Sequence, residues 1–281
     1  MIVTDHHEIP FEEVNGEKRY IFPPADVIAE PWIPDAKTGK PKARFPKICG
    51  AEVVFRLALL LLGKPDLTGE KSALEEEQVK VARELLGFAA LATICDVMPL
   101  LDENRIIVRE GLRELSHTDN TGIRCLMLAA GLGSEPVTVY HAGFVLGPCL
   151  NASGRLDTAG RALALLKEQD EARAMILARD LKQLNDSRKS MTEEGVETAI
   201  RMIEEEIRKG RSMESRKVLV VRLEDCHESL AGIIAGRLRE RYHRPVFVLT
   251  RAEEEGVLKG SGRSVEAYDM YEAVSYTHLR A

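Results

Sequence analysis

The sequence predicts an α/β protein in which a long helical region joins two bodies. A short apolar run, Ile2-Val3, leads into Asp5-His6-His7, as expected for a strand of a sheet with polar residues at its end. Residues 159–208 carry apolar side chains at three- and four-residue spacing among many charges, which predicts helix. Beyond residue 211 the order strand, helix, strand predicts a βαβ unit with parallel strands, and therefore a second, smaller domain.

The composition excludes several classes of protein. With 281 residues, of which 44% are hydrophobic and 30% charged, the chain can bury an ordinary globular core. The formal charge of -6 argues against a uniformly basic nucleic-acid coat but allows a local basic groove. Five cysteines without CxxC spacing indicate reduced thiols and a cytoplasmic protein. No segment resembles a signal peptide or a membrane span, so we expect neither export nor membrane insertion.

The order of elements follows from the positions of Gly and Pro residues and from the spacing of apolar residues. Residues 8–47 are rich in Pro, Lys and Glu, which predicts an irregular loop region. An apolar helix is expected from Cys49 to Gly63, and a second one ends before Pro99 and places Asp96 at its end. The Gly, Pro, Asn and Ser cluster within residues 141–163 predicts a tight loop that leads into a helix.

Asp5, His6 and His7 are the first candidate site. Carboxylate and imidazole together suit manganese, iron or zinc, although a histidine at a strand end is often only a hydrogen-bonded structural residue. One His and one Asp cannot hold two ions, so further donors are needed for two-metal chemistry. Asp96, a lone acid between apolar neighbours, is a second candidate, with a helix cap or a buried ion pair as the alternative.

Two further segments could bind phosphate. Asn151 to Arg155 offers an amide, a hydroxyl, a glycine and a guanidinium at a predicted helix start, although an ordinary loop and N-cap would look the same. Lys259 to Ser264 combines two glycines with two cations, and a hairpin turn is the equally good alternative. His227 precedes a predicted helix as a cap or a substrate contact.

The segments VTDHH, ATICDVMPLLDENR, GPCLNASGRLDTA, HESLAGIIAGRL and KGSGRS, in this order, resemble the DHH phosphoesterase superfamily and specifically the RecJ single-strand-DNA exonucleases. The resemblance covers about residues 1–274. It implies an incomplete parallel-sheet DHH domain (1–158), a connecting helical region (159–210) and a smaller α/β DHH-associated domain (211–274). It also implies two manganese or magnesium ions, single-stranded DNA with a 5′ end as substrate, hydrolysis in the 5′ to 3′ direction, and a role in DNA repair and recombination beside other repair proteins.

The resemblance also assigns residues. His6 and Asp96 match metal ligands, while His7 matches the second histidine beside the scissile phosphate and Asp5 the acid that orients an imidazole. Asn151, Ser153 and Arg155 match the loop that meets the 5′-phosphate. The residues that match nucleic-acid contacts of the small domain are His227, Gly262, Arg263 and Ser264. We expect His6 and Asp96 to converge on one cation, with Arg155 facing the same hollow.

The departures from the family pattern shape the expected activity. The family's Asp-x-Asp pair and a further Asp would lie upstream of Met1, an OB-type module would follow the small domain, and residues 275–281 resemble a non-native tail. We therefore expect weak metal binding and little nuclease activity from this chain. Two alternatives are a DHH phosphodiesterase of short oligonucleotides or cyclic dinucleotides and a non-catalytic module that binds single strands.

Overall fold

The computed structural model describes residues 1–35, 37–63, 73–133, 135–156, 158–210, 212–214, 216–252, 254, 256–270 and 273, with the backbone alone for residues 73, 74, 155 and 156. The chain divides into two compact units. Unit 1 comprises Met1–Leu150 and Leu163–Arg179, and unit 2 comprises Asn151–Ala162 and Asp180–Ala281. The predicted tail over residues 275–281 lies outside the described residues.

Unit 1 begins with four short strands, namely β1 (Ile2–Thr4), β2 (Phe11–Val14), β3 (Glu17–Tyr20) and β4 (Val27–Ala29). β1 and β4 pair in parallel, with Thr4 opposite Ala29, whereas β2 and β3 form an antiparallel hairpin. The irregular loop predicted for residues 8–47 is therefore wrong in part. Asn15 and Gly16 have φ angles of 55° and 82°, the left-handed conformation that a tight hairpin turn requires.

Seven helices follow, namely α1 (Gly50–Leu61), α2 (Ala73–Cys95), α3 (Asp102–Ser116), α4 (Thr121–Ala129), α5 (Gly147–Leu156), α6 (Gly160–Lys167) and α7 (Glu171–Arg208). α1 lies within the predicted range and ends two residues before Gly63, and α2 ends before Pro99 as predicted. The first three helices pack through Phe55, Leu86 and Ala89, which are buried, with Ile107 of α3 against them. This apolar contact fixes the ends of α1 and α2 that carry candidate site residues.

The segment from Gly147 onward is helical rather than the tight loop that its composition predicted. A π-helical segment, His141–Leu146, runs directly into α5, and Pro148 occupies the first turn of α5. Residues 139–156 are continuously helical, so Pro148 lies inside a helix and removes one backbone donor, and the π-helical segment directly before it is where the regular hydrogen-bond pattern is altered. Asn151 and Ser153 consequently lie inside a helix rather than in a loop before one.

The long helical region over residues 159–208 is confirmed, with one interruption. Asp170 ends the break between α6 and α7, and its Oδ1 accepts a hydrogen bond from the Arg173 amide at 2.8 Å. The buried positions of α7 recur at helical spacing and include Ala174, Ala178, Leu181, Ala199 and Ile203.

Unit 2 contains the predicted βαβ arrangement, with β5 (Leu219–Arg222), α8 (Ala231–Tyr242) and β6 (Val246–Arg251) followed by β7 (Leu258–Arg263). β5 and β6 are parallel as predicted, and β7 adds antiparallel to β6. The glycine-bearing segment after Lys259 is thus mainly a strand rather than a turn. Alternate residues of β5 and β6 are buried against α8 and against Ala199 and Ile203 of α7.

Over the described ranges, the helices lack the combination of length and apolar character that crossing a bilayer requires.

Candidate metal centre and nucleic-acid interface

Asp5, His6 and His7 form a tight turn directly after β1. The Asp5 amide donates to the Ala29 carbonyl at 3.2 Å, which extends the pairing of β1 with β4 by one residue. Asp5 Oδ1 accepts hydrogen bonds from the amides of His6 (2.7 Å) and His7 (3.3 Å). These bonds to the charged form, the one from the His6 amide above all, hold the pKa of Asp5 below its ordinary value. Asp5 is therefore a carboxylate at neutral pH.

The same carboxylate oxygen orients the His7 ring. His7 Nδ1 lies 2.8 Å from Asp5 Oδ1. Because an ionised carboxylate can only accept, Nδ1 carries the proton of a neutral His7, and Nε2 keeps a lone pair for a cation or a proton. The His7 side chain is 75% exposed, so its ring is open to solvent.

The His6 ring is held against the start of α1. A Cβ atom on Gly50 would lie 3.1 Å from His6 Cδ2 and 3.5 Å from His6 Nε2, so the ring fills the space that a side chain at position 50 would need. The rings of His6 and His7 have centroids 4.2 Å apart. The two imidazoles therefore lie side by side at the end of β1.

The residues present fit one divalent cation. Asp5, His6 and His7 each offer one ligand atom, and these atoms all lie within 4.8 Å of one another. Imidazole nitrogen and carboxylate oxygen are donors suited to manganese and zinc. Within the described part of the chain, these three residues make up the whole cluster at that distance, which is too few donors to hold two ions.

Asp96 lies outside this cluster, at the C-terminal end of α2. The amides of Val97 and Met98 each donate at 3.1 Å to carbonyls of the last turn, and Val97 has a φ of 56°, which together make a Schellman motif. The Asp96 side chain is exposed, so water solvates the carboxylate and the burial cost suggested by its apolar neighbours does not arise. A cation shared by His6 and Asp96 stays a prediction.

The end of α2 and the start of α1 are in contact. Cys49 Sγ lies 3.5 Å from Thr93 Oγ1, and Cys49 directly precedes the glycine that supports His6. Burial chiefly, with smaller contributions from Asp96 and Cys49, raises the pKa of Cys95 to about 11. Cys95 is therefore a neutral thiol at neutral pH.

The predicted 5′-phosphate contacts on α5 differ in exposure. Asn151 is exposed, whereas Ser153 is fully buried, and the side chain of Arg155 lies outside the described residues. A hydroxyl as buried as that of Ser153 is not open to a ligand from solvent. Among the candidate residues of α5 whose side chains are described, Asn151 is therefore the one with a polar group accessible to solvent.

In unit 2, His227 caps the short 3₁₀ turn Glu228–Leu230. Its Nδ1 accepts a hydrogen bond from the Ser229 amide at 3.3 Å and lies 2.8 Å from Ser229 Oγ. Of the two roles considered for His227, the cap is present. Because Nδ1 accepts from the Ser229 amide, Nε2 carries the proton of the neutral ring, and since the ring is exposed Nε2 can still donate to a ligand.

Arg263 lies over the first turn of α8. A Cβ atom on Gly232 would come within 2.9 Å of Arg263 Nη2, and the Arg263 side chain is exposed. Lys259, the other cation of this segment, forms an ion pair with Glu228 at 2.8 Å. Arg263 therefore places an exposed positive charge beside a helix N-terminus, where an anion is favoured.

Gly262 and Ser264 shape the chain around Arg263. A Cβ atom on Gly262 would lie 2.3 Å from Met270 Sδ and 2.9 Å from Phe247 Cε1, so a larger residue would require these side chains to shift. The Ser264 hydroxyl donates to the Tyr268 carbonyl. Both residues therefore have structural roles in this conformation.

Three residues beside the metal-capable turn were not predicted from the sequence, namely Glu30, Trp32 and Gly50. Glu30 follows β4 as Asp5 follows β1, and its Oε2 is buried without a hydrogen-bond partner among the described residues. Burial chiefly raises the pKa of Glu30, to which the nearby charge of Asp5 adds. The short apolar run Val27–Ala29 followed by an acid was the available signal of a second strand end.

Residues 215–279 match the family model of the DHHA1 domain. This region covers β5 to β7, and unit 1 adds an acid and two histidines at a strand end. Together these features resemble those of DHH-class proteins with a DHHA1 domain.

Comparisons over the whole chain narrow this class. The chain is 32% identical to the single-stranded-DNA-specific exonuclease RecJ of Bacillus subtilis (strain 168), covering 98% of this chain and 30% of that protein. It is 33% identical to RecJ of Haemophilus influenzae, covering 99% of this chain and 45% of that protein. The crystal structure of RecJ in complex with Mn²⁺ from Thermus thermophilus matches with a TM-score of 0.71 and 28% identity, over 99% of this chain and 36% of that one. Over almost its whole length the chain is therefore similar to RecJ exonucleases, and it spans less than half the length of these relatives.

Proposed function

We propose that this chain carries part of the catalytic machinery of a RecJ-type exonuclease, which hydrolyses phosphodiester bonds of single-stranded DNA from a 5′ end. One observation carries the proposal: the donors of Asp5, His6 and His7 lie within 4.8 Å of one another. Supporting it, relatives named as single-stranded-DNA-specific exonucleases align with 98% of the chain. Manganese or magnesium is the proposed metal, since RecJ of Thermus thermophilus was crystallised in complex with Mn²⁺.

Within this proposal, Asp5, His6 and His7 hold the cation and Asp96 supplies a further carboxylate. A bound divalent metal provides an activated water and stabilises charge on the phosphoryl group. Asp5 keeps His7 in one tautomer, so that Nε2 faces outward as a ligand or as a proton acceptor.

Arg263 and the start of α8 are the proposed phosphate contact of unit 2, with His227 as a second donor beside them. Asn151 and Arg155 are proposed to meet the 5′-phosphate. The five cysteines are all free, which supports a reducing cytoplasmic setting, where we place the protein in DNA repair and recombination with other repair proteins.

The metal is tested first. Electron paramagnetic resonance of free Mn²⁺ should report weak, saturable binding to the purified chain, which His6→Ala abolishes. His117→Ala is the matched control, because His117 is exposed at the end of α3, away from the turn, and should leave binding unchanged. Binding that is equal in all three proteins would rule out the turn as the metal site.

Nucleic-acid binding is tested with 5′-phosphorylated single strands. We expect binding that weakens with salt and falls further in Arg263→Ala, while Arg239→Ala, which removes the same charge near the other end of α8, has a smaller effect. Equal losses of DNA affinity in both variants would show that Arg263 contributes only non-specific electrostatic attraction.

Turnover separates the alternatives. Because the described cluster has three donors, we expect little or no Mn²⁺-dependent release of nucleotides by this chain. Robust degradation would contradict that expectation. Preferential hydrolysis of a dinucleotide would favour a phosphodiesterase of short or cyclic substrates, and tight salt-dependent binding by a whole RecJ-length relative without turnover would favour a binding module.

A further inference from the structure

The parallel register of β1 and β4 brings a second polar segment beside the metal-capable turn. Thr4 lies opposite Ala29, so the residues that follow the two strands, Asp5 and Glu30, are neighbours at one edge of the sheet. The Asp5 amide still donates to the Ala29 carbonyl, which fixes this alignment beyond the last paired residues. Glu30 therefore occupies a defined place next to Asp5.

Two hydrogen bonds continue from Glu30 to the turn. Glu30 Oε1 accepts from the Trp32 amide at 3.0 Å, and the Trp32 indole Nε1 donates to the His6 carbonyl at 3.1 Å. Trp32 and Glu30 are both half-buried, so neither bond is fully exposed to competition from water. Glu30 thus holds the main chain of Trp32, and the His6 carbonyl holds its indole ring.

The His6 carbonyl belongs to the peptide that links His6 to His7. A donor fixed on that oxygen restricts the rotation of the peptide plane, and with it the relative orientation of the two imidazoles. On the other side, a Cβ atom on Gly50 would lie 3.1 Å from His6 Cδ2, so the absence of a side chain at position 50 leaves the space that the His6 ring occupies. Main chain and ring of His6 are therefore each held by a different neighbour.

We infer that Glu30 and Trp32 form a clamp that positions His6 and His7 for metal binding, without either clamp residue being a ligand itself. The inference rests on the proposed metal centre. The clamp acts in the way that hydrogen bonds from outside the ligand set orient histidines at other metal sites, where their loss commonly weakens metal affinity by about tenfold or more.

Trp32→Phe tests the clamp, because it removes the indole N–H and keeps an aromatic ring. We expect Mn²⁺ affinity, measured from the resonance of free Mn²⁺, to fall by about tenfold while the circular dichroism spectrum and the urea midpoint stay close to those of the unchanged protein. Tyr140→Phe, which alters an exposed aromatic residue elsewhere in unit 1, should leave the affinity unchanged.

Trp32 is the single tryptophan of the chain, so its fluorescence offers a second readout. Paramagnetic Mn²⁺ should quench it in a saturable way in the unchanged protein and not in His6→Ala. Glu30→Ala should weaken the binding, and Glu30→Gln should restore most of it because the amide oxygen still accepts from the Trp32 amide.

The outcomes separate the clamp from the metal centre. If the unchanged chain binds no Mn²⁺, the proposed metal centre fails and the clamp fails with it. If His6-dependent binding is present but Trp32→Phe and Glu30→Ala both retain full affinity, the clamp alone is overturned. Should Trp32→Phe not fold, the contrast between Glu30→Ala and Glu30→Gln decides the question.

Discussion

At the scale of single residues, one carboxylate oxygen organises the candidate metal centre. Asp5 Oδ1 accepts from two amides of its own turn and faces the His7 ring nitrogen at 2.8 Å. Residue types and spacing were enough to select Asp5, His6 and His7 as candidates, and the structure brings their ligand atoms within 4.8 Å of one another. The supporting contacts of Trp32 and Gly50 could not be predicted, because they depend on which strands pair and on where α1 begins relative to β1.

The tautomer of His7 follows from the state of Asp5. For the neutral form of the ring, we expect nitrogen NMR of the unchanged protein to show His7 protonated at Nδ1, and Asp5→Ala to give a mixture of tautomers. The pKa of Asp5 in the folded protein lies below its ordinary value, so the ionised carboxylate stabilises the folded turn at pH values above the ordinary pKa. This contribution to stability is lost as the pH falls through the lowered pKa. A predominantly Nε2-protonated His7 would contradict the assignment.

Cys95 should be an unreactive thiol. Its pKa of about 11, against 9.0 for an unperturbed thiol, predicts about a hundredfold less thiolate at mildly alkaline pH. Iodoacetamide labelling followed by peptide mass spectrometry should therefore modify Cys95 slowly in the native protein and readily in urea. The raised pKa of Cys95 lowers the free energy of unfolding at high pH. Above about pH 9 the thiol of the unfolded chain releases a proton that the thiol of the folded protein retains.

At the scale of elements, helix ends decide where the candidate residues stand. Val97 adopts φ 56° at the C′ position of α2, where glycine is usual, and Asp96 directly precedes it. A β-branched residue in the left-handed region stores strain. That strain lies next to a proposed metal ligand, as is common at functional sites.

Relieving this strain should stabilise unit 1. We expect Val97→Gly to raise the free energy of unfolding by about 0.5–1 kcal/mol, as the cost of the left-handed β-branched residue exceeds the backbone entropy that glycine adds. Val97→Asn, which tolerates this conformation, should also stabilise. Urea unfolding measures both, and a loss of stability in both variants would show that Val97 makes contacts that outweigh the strain.

The junction between α2 and α5 should not tolerate a larger residue. A Cβ atom on Gly147 would lie 2.3 Å from Cys95 Sγ and 2.9 Å from the Ala142 carbonyl, so Gly147→Ala should destabilise the protein by about 1–3 kcal/mol. Gly236→Ala is the control, because nothing lies within 4 Å of its Cβ position inside α8. There the same change should stabilise by about 0.5–1 kcal/mol.

The elements that the sequence predicted well have strong periodicity. The apolar spacing before Pro99 located the end of α2, and the apolar runs of unit 2 located β5 and β6. The β2–β3 hairpin was missed because its strands are charged, although Asn15-Gly16 is a strong hairpin signal. α5 was mistaken for a loop because its Gly, Pro, Asn and Ser content is typical of loops, and composition does not show that Pro148 is accommodated directly after a π-helical segment.

At the scale of the whole molecule, each unit has its own buried core. The core of unit 2 draws on β5, α8, β6 and the later part of α7, while α1 to α3 pack within unit 1. Overall composition, with a net charge of -6, did not indicate where a nucleic acid would bind, since the exposed Arg263 is a local feature. Whole-molecule function therefore had to come from motif order and from the aligned relatives.

Because each unit has its own core, a substitution in the core of one unit should destabilise that unit and leave the other unchanged. Ile234→Ala removes a fully buried side chain of α8 and should destabilise unit 2 by about 2–5 kcal/mol. Hydrogen exchange should then accelerate in β5, α8 and β6 while α1 to α3 keep their protection. Uniform acceleration through all of these elements would show that the two cores unfold as one.

The two-stranded parallel sheet has a practical consequence for handling the protein. Within the described residues β1 and β4 pair only with each other, and Ile2 and Val27 are 69% and 53% exposed. Parallel strands are ordinarily covered on both faces, and open edges are templates for any other extended chain. We therefore expect copies of the chain to associate through these strand edges as the concentration rises. Spectroscopy on dilute samples should describe the single chain better than crystallisation does.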